Sequence, residues 1–269
     1  MKKYLVSFIL FSTLLLGISC TDTSEGTGLA LVNLRLIDAP GDFDEAWIEI
    51  KGVELMLGKD RQGTDAQWVH IPYDQPNQKV DVSKLVGEGV LLLGRDEISV
   101  GGIFKIRLML GEEHHLTKNG KIRSLTLIDP EASIIEMDVN YRLERNLSYD
   151  IYLDFDLERS IKASSDTTEF LLVPKVRSFI QEERAEIKGR IQPPAAKPVF
   201  YAIQGQDTIT SFADAQGNYS LRGLKEGQYS LRILPRLPYI DTVFSVEAKR
   251  GETEILKNIV LKRPPSATN

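Results

Sequence analysis

The chain has 269 residues, 42% hydrophobic and 26% charged, the composition of an ordinary globular protein with room for about two domains. Its formal charge is −5 with no basic block, which excludes a general nucleic-acid binder held by phosphate contacts. A lone cysteine, Cys20, excludes a disulfide framework within the chain, so stability must come from buried cores.

The N-terminus reads as an export signal. Lys2 and Lys3 precede an uncharged run from Leu5 to Ile18, and small Gly17 and Ser19 come just before Cys20. A membrane-spanning helix needs about 20 apolar residues. This run is shorter and stops at Thr21-Asp22-Thr23-Ser24-Glu25, so residues 1–19 have the layout of a secretory signal peptide. Its removal takes away two lysines and no acids, leaving 31 bases against 38 acids, or −7. The stretch LLLGISC (Leu14 to Cys20) resembles a bacterial lipobox, with Leu16 one position early and Gly17 where that pattern prefers leucine. The resemblance implies lipidation of Cys20 and a membrane partnership through an N-terminal lipid anchor. Three acyl chains would exceed the two signals that stable attachment requires. Thr21 after the cysteine, in place of Asp, resembles outer-membrane sorting. Ordinary signal-peptidase cleavage, which also accepts small-x-small, is the alternative.

Residues 20–28 are small and polar and read as a lipidated tether. From Leu29 the dominant period is two. Val32, Leu34 and Leu36 alternate with Asn33, Arg35 and Ile37, and Ala46, Ile48 and Ile50 alternate with Trp47, Glu49 and Lys51. The same pattern returns over Phe104–Leu110 and Tyr149–Asp156, which predicts half-buried antiparallel strands. Asn119-Gly120 is a hairpin signal, and Asp81 to Val86 reads as a short helical turn. A first β-rich domain therefore covers 29–182.

A second unit, 183–263, carries short strands at Ala185–Ile191, Val199–Ile203, Thr208–Phe212, Tyr219–Leu221, Tyr229–Leu234, Asp241–Val246 and Ile255–Leu261. Regular turn residues separate them, the signature of a small β-sandwich. Residues 264–269 form a polar tail. The fold class expected is all-β: two β-sandwich domains in tandem, antiparallel, with at most a short helical turn in the first.

Both units resemble known families. The stretches LIDAPGDFDEAWIEI (Leu36 to Ile50), GGIFKIRLMLG (Gly101 to Gly111), YDIYLDFDLERSI (Tyr149 to Ile161) and FLLVPKVRSF (Phe170 to Phe179) are similar to the bacterial domain-of-unknown-function family 4382. That resemblance implies an exported β-rich domain, often on a lipoprotein, and no activity. The stretch ADAQGNYSLRGLKEGQYSLRI (Ala213 to Ile233) resembles the carboxypeptidase regulatory-like domain, a prealbumin-type sandwich, with Ala213 where the family usually has Thr. It implies an accessory module of the fold called carbohydrate-binding-like, and such a fold confers no sugar binding by itself.

Several side-chain groups invite a chemical reading. Asp154 and Asp156 share a strand face with Asp150 and Tyr152. Such carboxylates can serve acid/base chemistry or, with the loop acids Asp38, Asp42 and Asp44, hold calcium. The plain reading pairs them across the sheet with Lys105, Arg107 or Arg35. Trp47 and Tyr152 are the aromatic candidates for contact with a glycan or a partner protein. Trp47 lies opposite the apolar register, whereas Trp68 is expected to plug the core. In Glu112-Glu113-His114-His115, adjacent histidines on a strand point to opposite faces, which argues against a shared metal and for a solvated hairpin loop. No nucleophile motif, zinc signature or phosphate loop is present, and no cofactor is implied. The expectation is a non-catalytic envelope module with a surface protein or glycan partner. The alternatives are a hydrolase or lyase using Asp154 and Asp156, and a surface-fibre subunit assembled through β-edges.

Overall fold

A computed structural model describes residues 28–39, 41, 43–59, 65–164 and 169–265. Cys20, Asp42 and most of the proposed tether lie outside the described residues.

The protein is all-β, two β-sandwiches in tandem. In the first unit the strands are β1 (Leu29–Ala39), β2 (Glu45–Gly58), β3 (Gln67–Pro72), β4 (Lys79–Asp81), β5 (Leu91–Ser99), β6 (Gly101–Leu110) and β7 (His115–Lys118). They continue with β8 (Lys121–Leu127), β9 (Ile134–Leu143), β10 (Ser148–Asp156), β11 (Ile161–Ala163), β12 (Glu169–Leu172) and β13 (Val176–Ile180). One sheet has the order β13-β10-β1-β5; the facing sheet runs β11-β12-β8-β7-β2-β6-β9, with β3 and β4 also paired to β2. The apolar members of each alternation meet between the sheets. Val32, Leu34, Leu36, Ile151, Leu153 and Phe155 from one sheet pack against Ile48, Ile50, Ile106 and Leu108 from the other. Burying such side chains supplies roughly 1.5–3 kcal/mol each before chain entropy is counted.

Most neighbours are antiparallel, but β1 and β10 pair in parallel, Leu34 opposite Ile151. A parallel pair needs a long crossover rather than a hairpin, and here β2 to β9, most of them in the facing sheet, intervene between β1 and β10. The helical turn expected near Asp81 is a 3-10 turn over Val82–Lys84. A single α-helical turn, α1 (Leu157–Ser160), follows β10, where Asp156 accepts from Arg159 N. Asn119 and Gly120 have φ of 53° and 69° and close the β7–β8 hairpin, as an Asn-Gly turn should.

The second unit contains β14 (Ala185–Gln192), β15 (Val199–Gln204), β16 (Asp207–Phe212), β17 (Asn218–Leu224), β18 (Gly227–Leu234), β19 (Thr242–Ala248), β20 (Thr253–Ile255) and β21 (Ile259–Val260). One sheet is β17-β14-β20 with β21 also on β14, and the other is β16-β15-β18-β19. Ile187, Ile191, Phe200, Tyr219, Leu221, Leu231 and Ile233 fill its separate core, with the Phe200 and Tyr219 rings stacked at 4.0 Å. The outer face of the β13-β10-β1-β5 sheet is turned toward this unit: β1 runs close to β16, and Arg177 of β13 reaches the backbone of β17.

Trp68 departs from its expected place. Val69 and Ile71 take the inward register of β3, so Trp68 stands on the outer side, exposed, with the Arg107 guanidinium 3.8 Å from its ring centre.

Candidate functional site

The junction between the units is where most of the acids singled out by sequence come together. On β10, Ile151, Leu153 and Phe155 point into the core, so Asp150, Tyr152, Asp154 and Asp156 take the opposite face. Pairing builds rows across that face. Arg95, Asn33 and Asp150 form one row, Arg35, Tyr152 and Phe179 the next, then Ile37, Asp154 and Arg177.

Each acid has structural work. Asp150 pairs with Arg35 at 2.9 Å and accepts from Asn33 Nδ2 at 2.8 Å, the cross-sheet pairing expected for it. Asp154 is buried and receives Arg177 Nη2 at 2.6 Å and Nε at 2.8 Å. The same guanidinium donates to the Arg222 carbonyl at 2.8 Å and the Gly223 carbonyl at 3.3 Å. Burial pushes the Asp154 carboxyl up, and the Arg177 charge opposes that push. Asp156, also buried, accepts from Arg159 N at 2.9 Å and Arg159 Nε at 2.6 Å. Lys105 and Arg107, expected as partners of these acids, instead pair with Glu136 of β9.

Asp38, at the end of β1, is buried beside them. One oxygen accepts from Leu157 N at 3.3 Å, and the other, Oδ2, has no hydrogen-bond partner. Burial, and then the nearby Asp154 charge, hold its carboxyl well above the ordinary carboxylate range. A 230 Å³ cavity beside Asp154 and Asp156 is lined also by Arg159, Lys175 and Arg177, so cations balance the acids there.

The calcium set is not assembled as a whole. Asp38, Asp154 and Asp156 sit within each other's fields. Asp44 is exposed and accepts from Gly120 N at 2.9 Å, pinning the β7–β8 hairpin. Asp42 lies outside the described residues. Among the described residues no group of three or more His, Cys, Asp or Glu side chains is placed to hold a metal ion.

Of the two aromatic candidates, Trp47 lies on the outer face of β2, half-buried. It stacks on His115 with ring centres 6.0 Å apart and donates through Nε1 to Glu45 at 3.1 Å. Tyr152 stacks on its cross-strand neighbour Phe179 at 5.3 Å, and Arg222 and Glu186 of the second unit lie within its electrostatic reach. Tyr152 is thus half-buried, on the face of β10 turned toward the second unit.

The Glu-Glu-His-His stretch is the loop between β6 and β7, with Glu112 and Glu113 exposed as expected and His114 turned inward. Glu49 Oε2 accepts from Glu112 N and Glu113 N, each at 2.9 Å, and a hydrogen bond from Lys51 holds its carboxyl below the usual range. His114 is buried and accepts at Nδ1 from Glu49 N at 3.1 Å; desolvation lowers its pKa. His115 faces the other way, onto Trp47.

Beyond α1, a cleft of about 710 Å³ separates the two units, with mostly apolar walls. No motif marked it, because its walls come from segments far apart in the chain. The one readable signal was that Val199, Phe212 and Leu234 occupy the outward register of their strands, where polar residues are usual.

Architecture and site together define a class: a tandem β-sandwich whose halves are joined by a buried ion pair, Asp154 with Arg177, that reaches the second unit's backbone. Residues 29–174 match the family described as Domain of unknown function (DUF4382), and the chain belongs to that family. No curated protein matches the sequence. Among solved structures, the cohesin–X-dockerin complex of Acetivibrio cellulolyticus is 15% identical over 31% of this chain and 61% of that one, with a TM-score of 0.25. The minor pilin GBS52 of Streptococcus agalactiae is 14% identical over 88% and 98% of the two chains (TM-score 0.27). The shaft pilin SpaA of Lactobacillus rhamnosus GG is 7% identical over 89% and 100% (TM-score 0.28). This chain thus spans about three fifths of the cohesin–X-dockerin chain it matches, and likenesses this loose carry no functional argument.

Proposed function

We propose that the chain is a non-catalytic cell-envelope lipoprotein, held at the outer membrane by acyl groups on Cys20, that binds or scaffolds a surface protein or glycan. The observation that carries the non-catalytic reading is the use made of Asp154 and Asp156. A general acid or base must reach a substrate proton; Asp154 is committed to Arg177 and Asp156 to the start of α1. The same pairing weighs against the hydrolase or lyase reading. The layout of residues 1–20 supports export and anchoring. The resemblance of Ala213 to Ile233 to a carboxypeptidase regulatory-like domain supports an accessory role for the second unit.

Cross-linking in intact cells, followed by membrane fractionation, tests this. The native chain is expected in the outer-membrane fraction, labelled by a clickable palmitate analogue and cross-linked to a discrete partner. The Cys20→Ala chain should lose both label and fraction. An unlabelled native chain would remove the anchor. Empty cross-links together with a blank glycan array would remove the binding role.

A further inference from the structure

We propose that the cleft between the two units binds a small apolar molecule carrying one carboxylate, with Lys197 as its counter-ion. This rests on the reading of the chain as a binding module and names the ligand class for one site of it.

The cleft floor is a row of three apolar side chains. Val199 of β15 stands opposite Phe212 of β16 on one side and Leu234 of β18 on the other. Phe200 and Ala202 are fully buried inside the sandwich, so Val199 and its row partners face outward. The next outward row reads Thr210, Tyr201 and Arg232, the polar character expected of a solvated face. That row continues onto β19 with exposed Val243, so the face is mixed away from the cleft, whereas all three members of the Val199 row are apolar. Pro194 and Pro235 extend this wall, and Phe43 and Val86 of the first unit stand among the residues that close it. A volume near 710 Å³ falls within the roughly 300–1,000 Å³ typical of small-molecule sites, which favour domain interfaces.

The charges lining the cleft select the ligand's head group. Asp214 is consumed by its own turn, accepting from Gln216 N at 2.9 Å, Asn218 N at 2.8 Å and Asn218 Nδ2 at 3.0 Å. Glu158 and Arg236 each already have a partner. Lys197 remains. It is exposed, held at φ 42° by the turn over Pro194–Ala196, and makes no ion pair among the described residues. A single ammonium suits a monoanion; a phosphate dianion is usually met by several donors or a bidentate guanidinium. An apolar body for the floor and one carboxylate for Lys197 satisfy both halves of the lining.

Calorimetric titration of the full mature chain with decanoate and with decanamide is the test. Decanoate should bind at one site, and decanamide about tenfold more weakly, since one charge-assisted contact is lost. Lys197→Met, a change at an exposed side chain, should weaken decanoate about tenfold and leave decanamide unchanged. Leu234→Glu, at the partly exposed edge of the floor, should abolish binding of both without altering the melting temperature. Decanoate bound equally well by Leu234→Glu would place the site elsewhere, and equal affinity for decanoate and decanamide would remove the role of Lys197. If decanoate does not bind while cross-linking still captures a surface partner, the cleft assignment fails and the binding module stands.

Discussion

The Asp38 carboxyl has one oxygen on Leu157 N, none on the other, and Asp154, Asp156 and Asp81 around it. The folded chain therefore holds a proton at Asp38 at pH values where the unfolded chain, with an ordinary pKa near 4, has released it. Stability contributed by this group is present at low pH and lost as pH rises through the raised folded value. Asp38→Asn keeps the shape and the acceptor for Leu157 N while removing the charge. It should stabilise the protein at pH 7, where the native carboxyl must either stay charged among other acids or hold a proton against its solution preference, and the gain should vanish near pH 4, where folded and unfolded chains both carry that proton. Urea denaturation at the two pH values measures it; a loss of stability at pH 7 would show that the ionised carboxylate has a favourable partner. The sequence revealed which face Asp154 and Asp156 occupy, because period-two alternation is local, but it read Asp38 as part of a loop, whereas β1 continues through it and sets it in the register of Leu34 and Leu36. The burial of Asp154 could not be read, since Arg177 ties it to the backbone of a unit that begins some 30 residues beyond Asp156.

Strands of the second unit were legible to within a few residues as far as β19, because consecutive strands there are mostly joined by tight turns with glycine, asparagine or aspartate, but the single strand expected over Ile255–Leu261 is two short ones, β20 and β21. The pairing of β1 with β10 was not, since no local pattern reports a partner so distant in the chain. Trp68 shows a finer failure: its size suggested the core, while the register of Val69 and Ile71 had already assigned it outward. Turn glycines separate conformational need from space. Gly120 has φ +69° with nothing within 4 Å of a Cβ placed there. Gly217 has φ +88°, and a Cβ there would run into the Ile191 carbonyl oxygen of β14. Gly120→Ala should cost about 1 kcal/mol, the left-handed strain alone. Gly217→Ala should cost about 3 kcal/mol or more, because backbone must also move. Equal melting-temperature losses for the two would mean that the β17 turn yields freely.

The family match ends at residue 174, before β13, yet β13 carries the side chain that joins the two units. Arg177 holds Asp154 with one edge and the Arg222 and Gly223 carbonyls with the other. At Gly223, φ +72°, a Cβ would sit 2.6 Å from the Phe179 ring, so the two units meet too closely there for a side chain. Breaking this tie should affect both units. Arg177→Met keeps the apolar stem but strands the buried Asp154 carboxylate and frees two carbonyls of β17. The cost should be about 3 kcal/mol, the lower end for removing one partner of a buried pair, because the guanidinium is itself partly exposed. If Arg177 couples the units, urea unfolding of the native chain should be one transition, and that of Arg177→Met two, with the second unit melting separately. Adding Asp154→Asn should recover the stability of the first unit, by removing the stranded charge, without restoring the single transition. A double variant that unfolds in one step would show that apolar contact at Ile37 and Phe179, rather than the guanidinium, holds the halves together.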